Sequence, residues 1–287
     1  MEGYKPQNFS FFHRSEKLVQ QLLVVPFLFY SGYGVALALK YKKGYGERIL
    51  IHRIFPTLVN FDIAILFFLV MNIALGINME GKTIVLSFIG WESIGNSNWY
   101  IFCIICCYFI SWFSYKWFGN SVKMIYSIIV FVILYTAIMF LCRKGPWWYD
   151  TVYAYAFGSF FAWFREDIIV LIHKRYKRIA FFSLIGFLIS YNAPNILSFF
   201  ANISAVFLCC IILLITVRLK LKSSFLMWSG NHLFPLYIYQ RIPMIIFSTI
   251  AGGTFMNGHR YTYVILCFAS TLLLTVLYRY INFSSRK

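Results

Sequence analysis

Apolar residues run in long unbroken stretches along nearly the whole chain, and polar residues collect in the short gaps between them. The stretches do not alternate, so they predict helices and not barrel strands. A helix crosses the hydrocarbon core in about 20 residues. Nine spans are predicted, near residues 21–39, 54–75, 99–118, 122–142, 151–164, 179–192, 196–217, 233–250 and 261–278. The fifth and sixth are short. They are expected to need a locally thin bilayer or an interfacial belt formed by Trp147, Trp148, Tyr149 and Tyr153. The fold expected is an all-α polytopic transmembrane bundle, with residues 1–287 forming a single integral membrane domain.

Composition agrees. The 287 residues are 61% hydrophobic and 12% charged, whereas soluble domains carry roughly 25% charged residues. No separate soluble domain fits. The polar stretch 1–20 lacks a short apolar core followed by a small-residue cleavage site, so no cleavable signal peptide is expected.

The charge of +17 adds an orientation. The first gap holds Lys40, Lys42, Lys43, Arg48 and Arg53 against Glu47; the third is flanked by Lys116 and Lys123. The fifth holds Arg165, Lys174, Arg175, Lys177 and Arg178 against Glu166 and Asp167; the seventh holds Arg218, Lys220 and Lys222. The tail carries Arg279, Arg286 and Lys287. The intervening gaps are nearly neutral. The positive-inside rule makes the basic set cytoplasmic, with the C-terminus inside and the N-terminus outside. Basic residues confined to short gaps predict contact with the lipid bilayer and no nucleic acid partner. The expected location is a bacterial cytoplasmic (inner) membrane.

Polar groups inside such spans are costly and are the natural candidates for function. Ser31-Gly32-Tyr33-Gly34 interrupts the first span, where two glycines fit either a helix-packing notch or a backbone break. Arg48, His52 and Arg53 precede Pro56 and fit either phosphate binding or simple anchoring. Asp62 lies one or two turns into the second span. Glu92, Asn96, Asn98 and Trp99 form an external polar cluster that opens the third span. His232, Tyr237, Tyr239, Gln240 and Arg241 lie at and within the eighth, and Arg241 is expected to face the interior near mid-depth. Cys103 and Cys106 have the spacing of a redox or zinc pair, but no second pair with His spacing accompanies them, so no metal site is expected.

Four of these segments, in order, resemble the acyltransferase 3 family of integral membrane O-acyltransferases. Val25-Pro-Phe-Leu-Phe-Tyr-Ser-Gly-Tyr-Gly34 is similar to its aromatic stretch ending in Ser-Gly-Tyr. Arg48-Ile-Leu-Ile-His-Arg-Ile-Phe-Pro56 resembles its basic segment before the next helix. Asn98-Trp-Tyr-Ile101 resembles one helix start, and Leu233-Phe-Pro-Leu-Tyr-Ile-Tyr-Gln-Arg-Ile-Pro-Met244 its late helix. The resemblance implies transfer of an acyl group, in the first instance acetyl, from acyl-CoA to a hydroxyl of a surface polysaccharide or glycolipid. Acyl-CoA (acetyl-CoA) is then a co-substrate and no cofactor is held. Arg48 and Arg53 would hold the donor's phosphates. Ser31, Tyr33, Asn98, Trp99, Tyr237, Gln240 and Arg241 would line the acceptor cavity.

The family has ten helices with both termini cytoplasmic, and its first helix carries an Arg followed after ten residues by an acyl-transferring His. Nine spans and an external N-terminus are what loss of that helix would leave. His13-Arg14 is in the wrong order, so the catalytic residue stays unassigned and the chain as written is expected to lack that histidine. The alternative is a non-catalytic polysaccharide transporter, flippase or export partner, in which Asp62 and Arg241 mark a substrate path.

Overall fold

The computed structural model describes residues 21–193, 199–219, 223–258 and 260–281. The polar stretch 1–20 with His13 and Arg14, the start of the seventh span at 196–198, Lys220, Lys222, His259, Arg286 and Lys287 lie outside the described residues. All regular structure among the described residues is helical. The helices are α1 (Val25–Tyr41), α2 (Phe55–Ala74), α3 (Gly81–Phe88), α4 (Asn98–Phe118), α5 (Val122–Leu141) and α6 (Tyr153–Trp163). They continue with α7 (Arg165–Asn192), α8 (Phe199–Arg218), α9 (Ser224–Asn231), α10 (Leu233–Tyr239), α11 (Arg241–Gly258) and α12 (Arg260–Ile281). Among the described residues, six stretches are long and apolar enough to cross a membrane: Leu50–Ala74, Asn98–Phe118, Val122–Leu141, Phe199–Arg218, Leu233–Ile250 and Tyr261–Tyr278.

Large apolar side chains face outward, and small polar ones share the interior with an apolar core. Ser111, Ser114, Ser159, Ser190, Asn202 and Ser204 are buried, while Val70, Ile73, Phe182 and Leu141 are largely exposed. The buried groups bond across helices: Ser111 Oγ and Tyr155 Oη lie 2.7 Å apart, and Ser204 Oγ donates to Ser190 Oγ at 3.1 Å. Apolar residues outside and satisfied small polar residues inside are what a lipid environment selects.

Contacts group the chain into two units, one of residues 21–49 and 106–219 and the other of residues 50–105 with the described part of 223–281. At the centre of the first is α6. Its sequence Tyr-Ala-Tyr-Ala-Phe-Gly-Ser-Phe-Phe-Ala-Trp is rich in small residues, and Ala154, Ala156, Gly158, Ser159 and Ala162 are all buried. It packs on α1, α5 and α8. A Cβ on Gly32 would fall under 3.0 Å from the carbonyl of Tyr155, and one on Gly158 would do the same to the carbonyl of Phe29. Each glycine thus receives the other helix's backbone. Ser159 Oγ donates across the seam to the Gly32 carbonyl at 3.3 Å. Of the two roles open to the glycines of Ser31–Gly34, Gly32 has the packing role.

Eleven residues of α helix cover only about 16 Å, roughly half the hydrocarbon core. An irregular segment leads into α6, and Trp148, Tyr149, Asp150, Thr151 and Val152 in it are buried in protein. The expected aromatic belt is therefore corrected. Trp148 and Tyr149 are enclosed, and of the four only Trp147 is largely exposed. Asn202 of α8 fixes this segment. Its Nδ2 donates to the Tyr149 carbonyl at 2.8 Å, and its Oδ1 accepts from the Tyr153 N–H at 3.1 Å. That N–H belongs to the first turn of α6 and has no partner within its own helix. At the other end Lys40 Nζ donates to the Trp163 carbonyl at 2.8 Å, a cation at a helix C-terminus.

A second correction concerns residues 165–178, expected as a loop. They are helical and continuous with the sixth span in α7, a 28-residue helix with non-helical dihedrals at Arg175. Glu166 and Asp167 sit in its first turn, where acidic side chains favour a helix start.

The second unit packs around Phe61, Ile65, Phe68, Ile101, Ile238, Tyr239 and Tyr278, drawn from α2, the start of α4, α10 and α12. The connection 75–97 is folded against it by amides. Asn72 Nδ2 donates to the Ile94 carbonyl at 2.7 Å, and Asn98 Nδ2 to the Gly90 carbonyl at 2.8 Å.

Candidate functional site

Polar and aromatic side chains of the second unit gather where the start of α4 meets α10. The Tyr100 and Tyr237 rings meet edge to face at 4.9 Å, and Trp99 packs edge-on to Tyr100 at 6.2 Å. The hydrogen-bond ladder is interrupted between α10 and α11 at Gln240, whose dihedrals stay helical. The cause is Pro243, which has no N–H for the Tyr239 carbonyl and whose ring crowds that carbonyl. Arg241 begins α11 and is exposed, not turned inward as expected. Tyr239 and Ile242 take the buried positions, and Arg241 is about 100° around the helix from Ile242. Its charge acts on Tyr237, one turn earlier.

Asn98 is buried, but its amide is committed to the Gly90 carbonyl. Asn96 is also buried, and its Oδ1 accepts from the Ile94 N–H at 3.1 Å. The polar cluster expected outside is thus mostly the means by which its loop folds, and the Tyr100–Tyr237 contact draws it beside the opening turns of α10, which the charge pattern places at the cytoplasmic end of the eighth span. Trp99 and Glu92 are half-buried. Gln240 is half-buried at the interruption between α10 and α11.

Ser31 and Tyr33 belong to the first unit. Ser31 is half-buried, and Tyr33 lies along Phe29 and Phe161, with ring centroids 6.4 and 5.9 Å away. Arg48 closes the 3-10 turn Gly46–Arg48 of the first unit, and Arg53 lies in the π turn Leu50–Ile54 of the second. Both are exposed, as is His52. Asp62 is half-buried in α2, with Oδ1 enclosed and without a hydrogen-bond partner among the described residues.

The residue with the most specific chemistry is His232, between α9 and α10. Its ring stacks on Trp228 at 4.6 Å and 22°. Its Nδ1 lies 2.8 Å from the Trp228 carbonyl. A carbonyl can only accept, so Nδ1 carries the hydrogen and, in the neutral ring, Nε2 keeps the basic lone pair. A tautomer fixed by a backbone oxygen is the arrangement a general base requires. The sequence shows His232 but not this orientation, since only folding brings the carbonyl of Trp228 onto the ring. Tyr100 carries no mark in the sequence that sets it above its neighbours Asn98 and Trp99, yet it is the residue that touches Tyr237. Among the described residues no three His, Cys, Asp or Glu side chains converge as a metal site would need.

These features define an all-α integral membrane protein. No protein-family model, curated protein or solved structure matches the chain.

Proposed function

We propose that the protein is a membrane O-acyltransferase that moves an acetyl or similar acyl group from acyl-CoA to a hydroxyl of a surface polysaccharide or glycolipid. The observation that carries this reading is His232, with Nδ1 donating to the Trp228 carbonyl and Nε2 left as base. The order of the four segments resembling acyltransferase 3 proteins supports it. In the reaction Nε2 takes the proton of the acceptor hydroxyl, and the oxygen attacks the thioester carbonyl. The C–S bond breaks and the proton passes to the departing CoA thiolate. Arg48 and Arg53 bind donor phosphates, and Trp99, Tyr100 and Tyr237 offer aromatic faces to a sugar.

The topology in this proposal has nine crossings in an inner membrane, with N-terminus outside and C-terminus inside. The first helix, the run 146–163 and the end of α7 add three to the six long spans. The basic gap between the first two spans, with Arg48 and Arg53, then faces the cytoplasm, where acyl-CoA is found. Cys142 is exposed at the end of α5 and falls on the opposite side. A membrane-impermeant maleimide is expected to modify Cys142 from outside intact cells, and Lys42→Cys only after the membrane is opened. Labelling of Lys42→Cys in sealed cells would reverse the topology and remove the donor site.

The reaction is tested by following labelled acetyl from acetyl-CoA into the polysaccharide and glycolipid fraction of membranes that contain the full chain. His232→Ala is expected to lower transfer at least ~100-fold with acetyl-CoA affinity unchanged. Arg48→Ala and Arg53→Ala are each expected to weaken acetyl-CoA binding about tenfold, as loss of a charge-assisted phosphate contact does, without disturbing insertion. Equal CoA affinity in wild type and both arginine variants, or full transfer by His232→Ala, would refute the assignment. The export or flippase reading draws on the enclosed Asp62 Oδ1 in α2, which has no hydrogen-bond partner among the described residues. It predicts movement of a labelled lipid-linked sugar across vesicles with no acetyl-CoA present.

A further inference from the structure

The densest positive charge in the first unit is in α7, in the run His173-Lys174-Arg175-Tyr176-Lys177-Arg178. On an uninterrupted helix six consecutive side chains point all around the axis, about 100° apart. Here the helix is interrupted at Arg175, with φ −126° and ψ 27°. The result is an open cavity of about 850 Å³ lined by all six of these residues together with Val217 and Arg218 of α8. Tyr176 holds the two helices at this point. Its hydroxyl donates to the Leu214 carbonyl at 3.3 Å, and the Arg218 guanidinium lies over its ring at 5.3 Å. Lys174, Arg175, Lys177, Arg178 and Arg218 thus line one cavity that has no carboxylate among its described lining residues.

The cavity also lies at a definite depth. Arg218 is the last residue of the apolar helix α8, and Arg178 immediately precedes the apolar half of α7. One turn beyond Arg178, Phe181 and Phe182 are 59% and 67% exposed. Cationic groups therefore sit at headgroup level with bare aromatic surface directly toward the membrane core. Arg218 already covers one face of Tyr176, and the Phe181 and Phe182 surface faces away from the charge along the helix, an arrangement that suits acyl chains better than a base.

We propose that this cavity binds the phosphate headgroup of an anionic phospholipid, whose acyl chains lie along Phe181 and Phe182. Basic pockets between membrane helices suit such headgroups, and each Lys or Arg near the surface adds to the attraction. Arginine adds paired hydrogen bonds to phosphate oxygens. The site does not depend on the acyl-transfer reading and can fail or stand without it.

The test uses the full chain in phosphatidylcholine nanodiscs doped with phosphatidylglycerol, reading the phosphatidylglycerol retained by the protein. The variant Lys174→Gln/Lys177→Gln/Arg178→Gln leaves Tyr176 and its tether intact. It is expected to lower phosphatidylglycerol affinity at least tenfold. A control with the same loss of charge, Lys42→Gln/Lys43→Gln/Lys123→Gln, is expected to stay within about twofold of wild type. Millimolar inorganic pyrophosphate is expected to leave the retained lipid unchanged. An equal loss in the control would show a net-charge effect and overturn the site. Displacement of the lipid by pyrophosphate would overturn the lipid assignment in favour of a soluble phosphate ligand. Unaltered melting of both variants, followed by tryptophan fluorescence, keeps the comparison between folded proteins.

Discussion

Gly32→Ala is expected to destabilise the protein by about 2–3 kcal/mol, and Gly158→Ala by a similar amount. A helix gains up to about 1 kcal/mol when an interior glycine becomes alanine, so the sign depends on what the added methyl meets. At Gly32 it meets the Tyr155 carbonyl, and at Gly158 the Phe29 carbonyl, each under 3.0 Å. Neither obstacle is a side chain that can rotate away. The helices must separate, and overpacking of that kind costs about 1–3 kcal/mol or more. Separation also weakens the Ser159–Gly32 hydrogen bond. Gly34 is the internal control. It lies on the same helix two residues on, with nothing within 4 Å of the place an added methyl would take, so Gly34→Ala is expected to be neutral or slightly stabilising. Gly32→Ala/Gly158→Ala should cost less than the two singles added, by about 1 kcal/mol, because the first methyl already opens the seam. Reversible unfolding in mixed micelles measures all four variants. Equal stability of Gly32→Ala and Gly34→Ala would show that α1 and α6 are not in backbone contact.

Asn202→Leu is expected to cost about 2–4 kcal/mol. The side chain is 0% exposed and bridges the Tyr149 carbonyl and the Tyr153 N–H. Its removal leaves a buried acceptor and a buried helix-start donor with no water to replace it, at about 1–3 kcal/mol for each such group. Side-chain hydrogen bonds between membrane helices average well below ~1 kcal/mol because the unfolded chain finds other partners. The expected value therefore sits toward the lower end of the simple sum. Asn202→Asp keeps the acceptor for Tyr153 but sets an oxygen against the Tyr149 carbonyl, and should be no better than leucine. Trp148 and Tyr149 are expected to become quenchable by water-soluble iodide in both variants, because the segment they belong to loses its fastening. A leucine variant within about 0.5 kcal/mol of wild type would mean that the segment 146–152 is held by packing alone.

Both effects rest on residues whose importance the sequence only hints at. Gly32 and Gly34 are alike in sequence, and two positions around α1 decide which of them faces α6. Asn202 is one amide in an apolar run and gives no sign of the two backbone groups it serves. Arg241 shows the opposite case. Its discomfort in an apolar stretch was legible, but the helix turns Tyr239 and Ile242 inward and so leaves Arg241 on the surface. The positive run at 173–178 was legible as charge. It became a pocket only through the interruption at Arg175 and the tether from Tyr176 to α8.

Reading along the chain was enough to establish that it is helical, that several of its helices are apolar enough for a bilayer, and where its basic residues collect. Those properties are sums over local composition, and about 20 apolar residues carry the same transfer energy in any arrangement. Folding alone made α6 a short buried helix with an irregular lead-in, chose which glycine takes a neighbour's backbone, and fixed which nitrogen of His232 is basic. The first two depend on a helix brought up from elsewhere in the fold, while His232 takes the carbonyl four residues back, in the turn that ends α9. Helix contact and hydrogen bonding act over a few ångströms, and between distant segments that proximity is set by packing and not by position along the chain.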